Sequence, residues 1–152
     1  MNVRLLEPAI EEGSNCWLID LGGRFVGVQG HAGWCVRIEE RVMALDDESK
    51  FVPLGPLLEL AASEFLAFLQ RAALAKPAYG QQIIGFPKET LLRHIFHTSY
   101  SSYWPERALA WLAADRSLWP SFQEELHLFS QNKVMPQAVR QHAKQMLKQT
   151  AS

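Results

Sequence analysis

The chain has little cysteine, no long apolar run and almost no excess charge, and each shortage removes a class of function. Two cysteines among 152 residues, Cys16 and Cys35, cannot make the disulfide framework of a small secreted domain. No apolar stretch approaches the roughly 20 residues needed to span a bilayer. The N-terminus carries Glu7, Glu11 and Glu12 where an export signal would be basic and then apolar. A reducing cytoplasm is the expected location, with no membrane partner. The formal net charge of -1 argues against a general nucleic-acid binder. Also missing are a phosphate-binding glycine loop, a G-x-S-x-G elbow and any cysteine or histidine set at zinc spacing.

Core material, by contrast, is plentiful. Apolar residues make up 48% of the chain and five residues are Trp, enough for one domain that buries about two-thirds of its unfolded surface. Charge is unevenly spread. Residues 1–54 hold 5 basic and 9 acidic side chains, and residues 55–152 hold 10 and 7.

The clearest β signal is a pair of apolar runs, 16–21 and 24–28, flanking Gly22-Gly23. Two glycines accept the positive φ angles of a type I′ turn, whose twist suits a hairpin. A turn at 30–33 leads to a strand over 34–38, and one at Glu39-Glu40 leads to a strand over 41–45. Residues 2–6 are expected to form a short edge strand, followed by a polar loop over 8–15. Short connections make the set an antiparallel meander with one covered face.

Beyond Asp46-Asp47-Glu48, residues 56–75 read as the longest helix, with Leu58, Ala61, Phe65, Phe68 and Ala72 on one stripe. Four times thereafter a large apolar residue precedes proline: Phe86-Pro87, Trp104-Pro105, Trp119-Pro120 and Met135-Pro136. Proline suits the first helical turn, and the residue before it can fold back as a staple. Helices are therefore expected near 87–97, 103–114, 120–130 and 136–148.

Several groupings bear on chemistry. His94 and His97 lie three apart on a helix, with Arg93 on the same expected polar face, but no carboxylate lies between them to complete a zinc helix. His31 and Cys35 flank a glycine turn, yet Cys35 stands between Trp34 and Val36, where a buried inert thiol is expected. Residues 98–104 crowd hydroxyls and aromatics between two helices. Ser101 or Ser102 is expected to cap the next helix and Trp104 to staple it, while Tyr100 and Tyr103 suit a binding surface. Glu39, Glu40, Asp46, Asp47 and Glu48 are expected along one end of the sheet, where dense negative charge would steer a basic partner. Arg140, Lys144 and Lys148 form a basic stripe on the last helix, two of them favoured by its dipole.

The stretch 101–112, with Gln131-Asn132-Lys133 and the run 136–144, resembles a pattern in small bacterial proteins, some of them immunity proteins against toxins used between competing bacteria. The resemblance covers the last third of the chain and carries no catalytic signature. It implies a cytoplasmic protein that binds a toxin domain and blocks its active site without a cofactor.

These readings combine into an α+β fold: a single domain over 1–152, mainly β over 1–50 and mainly α over 55–149. An N-terminal antiparallel meander is expected to pack against a C-terminal layer of about five helices. The expected function is a non-enzymatic protein-binding module, most concretely an immunity protein that neutralises a cognate toxin, with no catalytic residue, metal or cofactor. Its expected partner-binding residues are Glu39, Glu40, Asp46, Asp47, Glu48, Tyr100 and Tyr103. Two Trp-rich helices leave a homodimer open. The alternatives are a small hydrolase using His31 with Cys35 or His94 with His97, and a nucleic-acid accessory protein using the terminal basic helix.

Overall fold

The computed structural model of the protein describes residues 3–99 and 101–151. The fold is α+β, a five-stranded antiparallel sheet followed by helices, and the chain divides into two compact units, Met1–Lys88 and Glu89–Ser152.

In the first unit the strands are β1 (Arg4–Glu12), β2 (Asn15–Asp20), β3 (Phe25–Gln29), β4 (Gly33–Ile38) and β5 (Arg41–Ala44). They neighbour one another in sequence order, so β1 and β5 are the two edges. The Gly22-Gly23 hairpin forms as expected, with φ of 69° and 96°. β1 is longer than its expected 2–6 span and runs through the stretch read as a loop. An edge strand tolerates Pro8 because its outward side needs no donor, and the register shifts between Leu5 and Ile10. The acids that give this stretch its loop-like look are anchored: Glu7 binds Arg71 at 2.9 Å, and Glu11 binds Lys76 at 2.8 Å.

After the sheet, Glu48–Glu59 forms a 3₁₀ segment with Pro53 and Pro56 inside it, and the α-helix begins only at α1 (Ala62–Ala75). The expected helix over 56–75 is thus two elements. Proline in that segment removes α-type donors, and the apolar run that follows fits a buried 3₁₀ segment as well as an α-helix. Within α1, Phe65, Phe68, Leu69 and Ala72 are buried. A short helix, α2 (Gly80–Ile84), follows. Phe86 stands edge-on between Trp34, at 4.8 Å, and Phe65, at 5.0 Å, tying β4 to α1. The Trp34 indole donates to the Gln82 carbonyl at 2.7 Å, and the Gln82 amide donates to the Gly30 carbonyl at 2.9 Å. On the opposite face Trp17, Cys35 and Leu6 form a small buried cluster with Phe25 packed on it. Arg37 roofs that cluster, its guanidinium 5.1 Å from the Trp17 ring and 4.7 Å from the Phe25 ring.

The second unit contains α3 (Lys88–Thr98, entered from the first unit), α4 (Tyr103–Ala113), a 3₁₀ segment Arg116–Phe122, α5 (Gln123–Gln131) and α6 (Gln137–Ala151). Pro120 falls inside the 3₁₀ segment, so the third expected helix starts as a tighter turn and becomes α-helical only at Gln123. Leu92, Ile95, Leu109, Trp111, Phe122 and Leu126 are buried here. The buried Trp119 indole donates to the Leu112 carbonyl at 2.7 Å, which satisfies a polar group that would otherwise cost about 1–3 kcal/mol. Among the described residues no single helix is long and apolar enough to cross a membrane.

Candidate partner-binding surfaces

The acidic residues of the first unit do not share one end of the sheet. Glu39 and Glu40 form the turn before β5, and Asp46, Asp47 and Glu48 follow β5, so the strand separates them. Six residue steps from Glu40 to Asp46, at about 3.3 Å each, put the two groups up to about 20 Å apart. Their local duties also differ. Glu39 holds a left-handed φ of 57°, which closes the tight turn. Asp47 accepts from the Ser49 amide at 3.2 Å and caps the 3₁₀ segment, and Asp46 pairs with Lys50 at 3.1 Å. Beside the second group lies an open hollow of about 320 Å³ whose lining includes Gly33, Trp34, Leu45, Asp46, Gln82 and Pro87. Two of these, Gln82 and Pro87, lie far from β5 in sequence, and no local motif marks the hollow.

In the second unit, Tyr103 is 46% exposed at the start of α4. Its ring meets Trp104 edge-on at 4.9 Å, and the Arg107 guanidinium lies over it, 4.7 Å from its centroid. Trp104 is half-buried and serves as a neighbour to Tyr103 as well as a helix-entry residue. Arg107 is a functional candidate that sequence reasoning misses, although its i,i+4 spacing from Tyr103 is an available signal. Ser102 occupies the N-cap without a side-chain cap bond, so the expected serine cap does not form there. Tyr100, the other expected aromatic, lies outside the described residues.

His94 and His97 part company. His94 is 7% exposed and belongs to the buried side of α3, not to the polar face expected for it. His97 faces outward and bonds Glu125 at 2.9 Å. Glu125 also takes Arg93 at 3.6 Å, and Arg93 donates to the Ser121 carbonyl at 2.8 Å while stacking 4.6 Å from Phe122. This network ties α3 to the 3₁₀ segment and α5. It borders a hollow of about 90 Å³ lined in part by Phe96, Ser99, Leu128 and Met135, smaller than the usual 300–1,000 Å³ of ligand pockets. Among the described residues no group of three or more His, Cys, Asp or Glu side chains is arranged to hold a metal ion.

The His31–Cys35 pairing fares no better as chemistry. His31 is exposed in the turn, whereas Cys35 is 0% exposed within the Trp17 cluster. Burial pushes its thiol up to about 11, so the nucleophilic thiolate is disfavoured. The basic stripe of α6 is partly structural, since Arg140 donates to the Met135 carbonyl at 3.0 Å and closes the α5–α6 loop.

Comparison of the chain with protein-family models, curated proteins and solved structures finds no match.

Proposed function

We propose that this protein is a non-enzymatic protein-binding module, and that its partner is a toxin domain which it neutralises as an immunity protein. The observation that carries the binding reading is the Tyr103–Trp104–Arg107 cluster on the second unit. Tyr, Trp and Arg dominate the few positions that supply most interface energy; Tyr and Trp bury much area with little loss of freedom, and Arg brings a planar, multi-donor charge. Here Tyr103 already packs against Trp104 and Arg107, so less ordering cost remains to be met on binding. The acids around β5 support a partner with a basic surface, such as a cleft that handles nucleic acid, by speeding encounter. The resemblance of 101–112, 131–133 and 136–144 to a pattern in small bacterial proteins, some of them immunity proteins, supports the choice of a toxin.

Co-expression with the neighbouring gene product and affinity capture tests this reading. A stable complex, rescue of the host from toxicity and loss of both in Tyr103→Ala are expected. Absence of a complex and of rescue refutes it.

A further inference from the structure

We propose that the open edge of β5 receives an extended strand of a partner protein, apolar at its centre and basic at both flanks. The inference rests on the protein-binding reading but uses a different surface from the aromatic cluster. Among the described residues β5 ends the sheet. The Leu45 amide donates to the Trp34 carbonyl at 2.9 Å, and the β4–β5 register runs Cys35↔Ala44, Val36↔Met43, Arg37↔Val42. Antiparallel pairs alternate between bonded and non-bonded. Met43 and Leu45 therefore turn their amides and carbonyls toward β4, and Val42 and Ala44 turn theirs outward. Val42 is also 39% exposed, which leaves an apolar side chain beside those groups. Such an edge is a template for strand addition, with main-chain bonds giving affinity and side-chain pockets giving selectivity.

Charge selects the occupant. Glu39 and Glu40 precede the strand, and Asp46, Asp47 and Glu48 follow it. A second copy in the register that pairs Val42 with Ala44 both ways would bring the Glu39-Glu40 turn of each copy beside Asp46 and Asp47 of the other. Like charges across a strand pair are destabilising, so self-pairing is disfavoured. A strand with Lys or Arg at each end meets carboxylates at both. The hollow beyond Ala44 takes a long basic side chain at one flank, its stem along Trp34, Leu45 and Pro87 and its head near Asp46. The Asp46–Lys50 pair is exposed and exchangeable, so it offers little resistance.

The test uses the full-length protein and a capped seven-residue peptide with alternating valine and threonine at its centre and Lys-Arg at each end. Titration with hydrogen exchange is expected to show binding that protects the Val42 and Ala44 amides. Glu-flanked and centrally proline-substituted versions should bind at least tenfold more weakly. Val42→Pro should abolish binding while keeping the native circular-dichroism spectrum, because proline is tolerated where an edge amide points outward. Exchange on the unmodified protein decides the matter even if that variant unfolds. Lack of binding, binding without protection at Val42 and Ala44, or equal affinity for the Glu-flanked peptide each overturns the proposal. Protection of these amides in a dimer without peptide assigns the edge to a second copy and overturns it too. Formation of a toxin complex alongside failure with peptide would remove strand addition and leave the protein-binding reading standing.

Discussion

Raising the pH should expose the cost of the Cys35 thiol. The side chain is fully enclosed and its thiol is pushed up from 9.0 to about 11 because burial penalises the thiolate. The unfolded chain keeps the ordinary value, so between these two values it loses its proton while the fold retains it. The contribution is therefore fully present below pH 9 and is lost as pH rises to about 11. At about 1.4 kcal/mol per pH unit, the loss is about 3 kcal/mol. That is a large part of the 5–15 kcal/mol holding a typical domain together. Cys16 is shifted in the same direction, chiefly by burial and then by Glu11, so the wild-type curve falls more steeply than one thiol requires. Urea denaturation of wild type and Cys35→Ala at intervals from pH 7 to 11 isolates the Cys35 contribution. Truncation adds a fixed packing cost at every pH, so the two curves should converge above pH 9. Curves that stay parallel to pH 11 refute the reasoning. The same burial predicts that Cys35 reacts with thiol reagents at pH 8 only after opening. About one in a thousand native thiols is ionised there, against about one in ten for an ordinary cysteine.

Three further outcomes follow from the geometry. Gly27→Ala should cost at least about 3 kcal/mol in urea denaturation, because a Cβ there would lie 2.1 Å from the Cys16 carbonyl oxygen and 2.8 Å from the Trp17 Cα, both backbone atoms. Gly30→Ala, whose Cβ meets only the Ser14 carbonyl at 3.7 Å, is the near-neutral control. Tyr103→Ala should leave thermal stability close to wild type, since the ring is 46% exposed, yet weaken the captured complex about 30-fold or more by binding titration. The Arg71 hydrogen bond holds the Glu7 carboxyl below its usual range, so its contribution is present above the ordinary carboxylate value and is lost as pH falls through the folded value. Glu7→Gln should flatten the acid limb of stability.

Structure is legible in the sequence wherever its cause is local. Gly22-Gly23 announces a hairpin because few residues other than glycine accept two successive positive φ angles, and Met135-Pro136 marks the start of α6 at Gln137. The departures have non-local causes. β1 looks like a loop because its acids find Arg71 and Lys76 more than sixty positions away. On α3, polarity alone assigns His94 to the solvent side, whereas the helix buries it beside Leu91 and Ile95. The acidic residues stand out in the sequence but do not form one group, because the four residues of β5 hold them apart. The hollow beside Asp46 is illegible, since Gln82 and Pro87 reach it only through the Trp34–Gln82 and Trp34–Phe86 contacts.

The sheet treats its two edges differently, and the difference can be inverted. β1 is guarded by Pro8, a register shift and ion pairs to Arg71 of α1 and to Lys76 just beyond it, devices that block any added strand. β5 is guarded by charge alone, a device that rejects its own kind and admits a complementary one. The double substitution Glu39→Lys with Glu40→Lys should therefore convert repulsion between copies into attraction. In the two-fold register, the new ammonium groups at positions 40 and 39 would lie beside Asp46 and Asp47 of the other copy, twice per dimer. Cross-strand charge pairs are worth about 0.2–1 kcal/mol each and like pairs cost a similar amount. Four reversals thus amount to about 2–8 kcal/mol, roughly a 30-fold or greater gain in self-association. Sedimentation over a range of protein and salt concentrations should show a dimer for the double variant that weakens with salt and is absent from wild type. Adding Val42→Pro should abolish it by removing an outward amide. A double variant that sediments like wild type at every concentration would mean that charge is not what keeps this edge free.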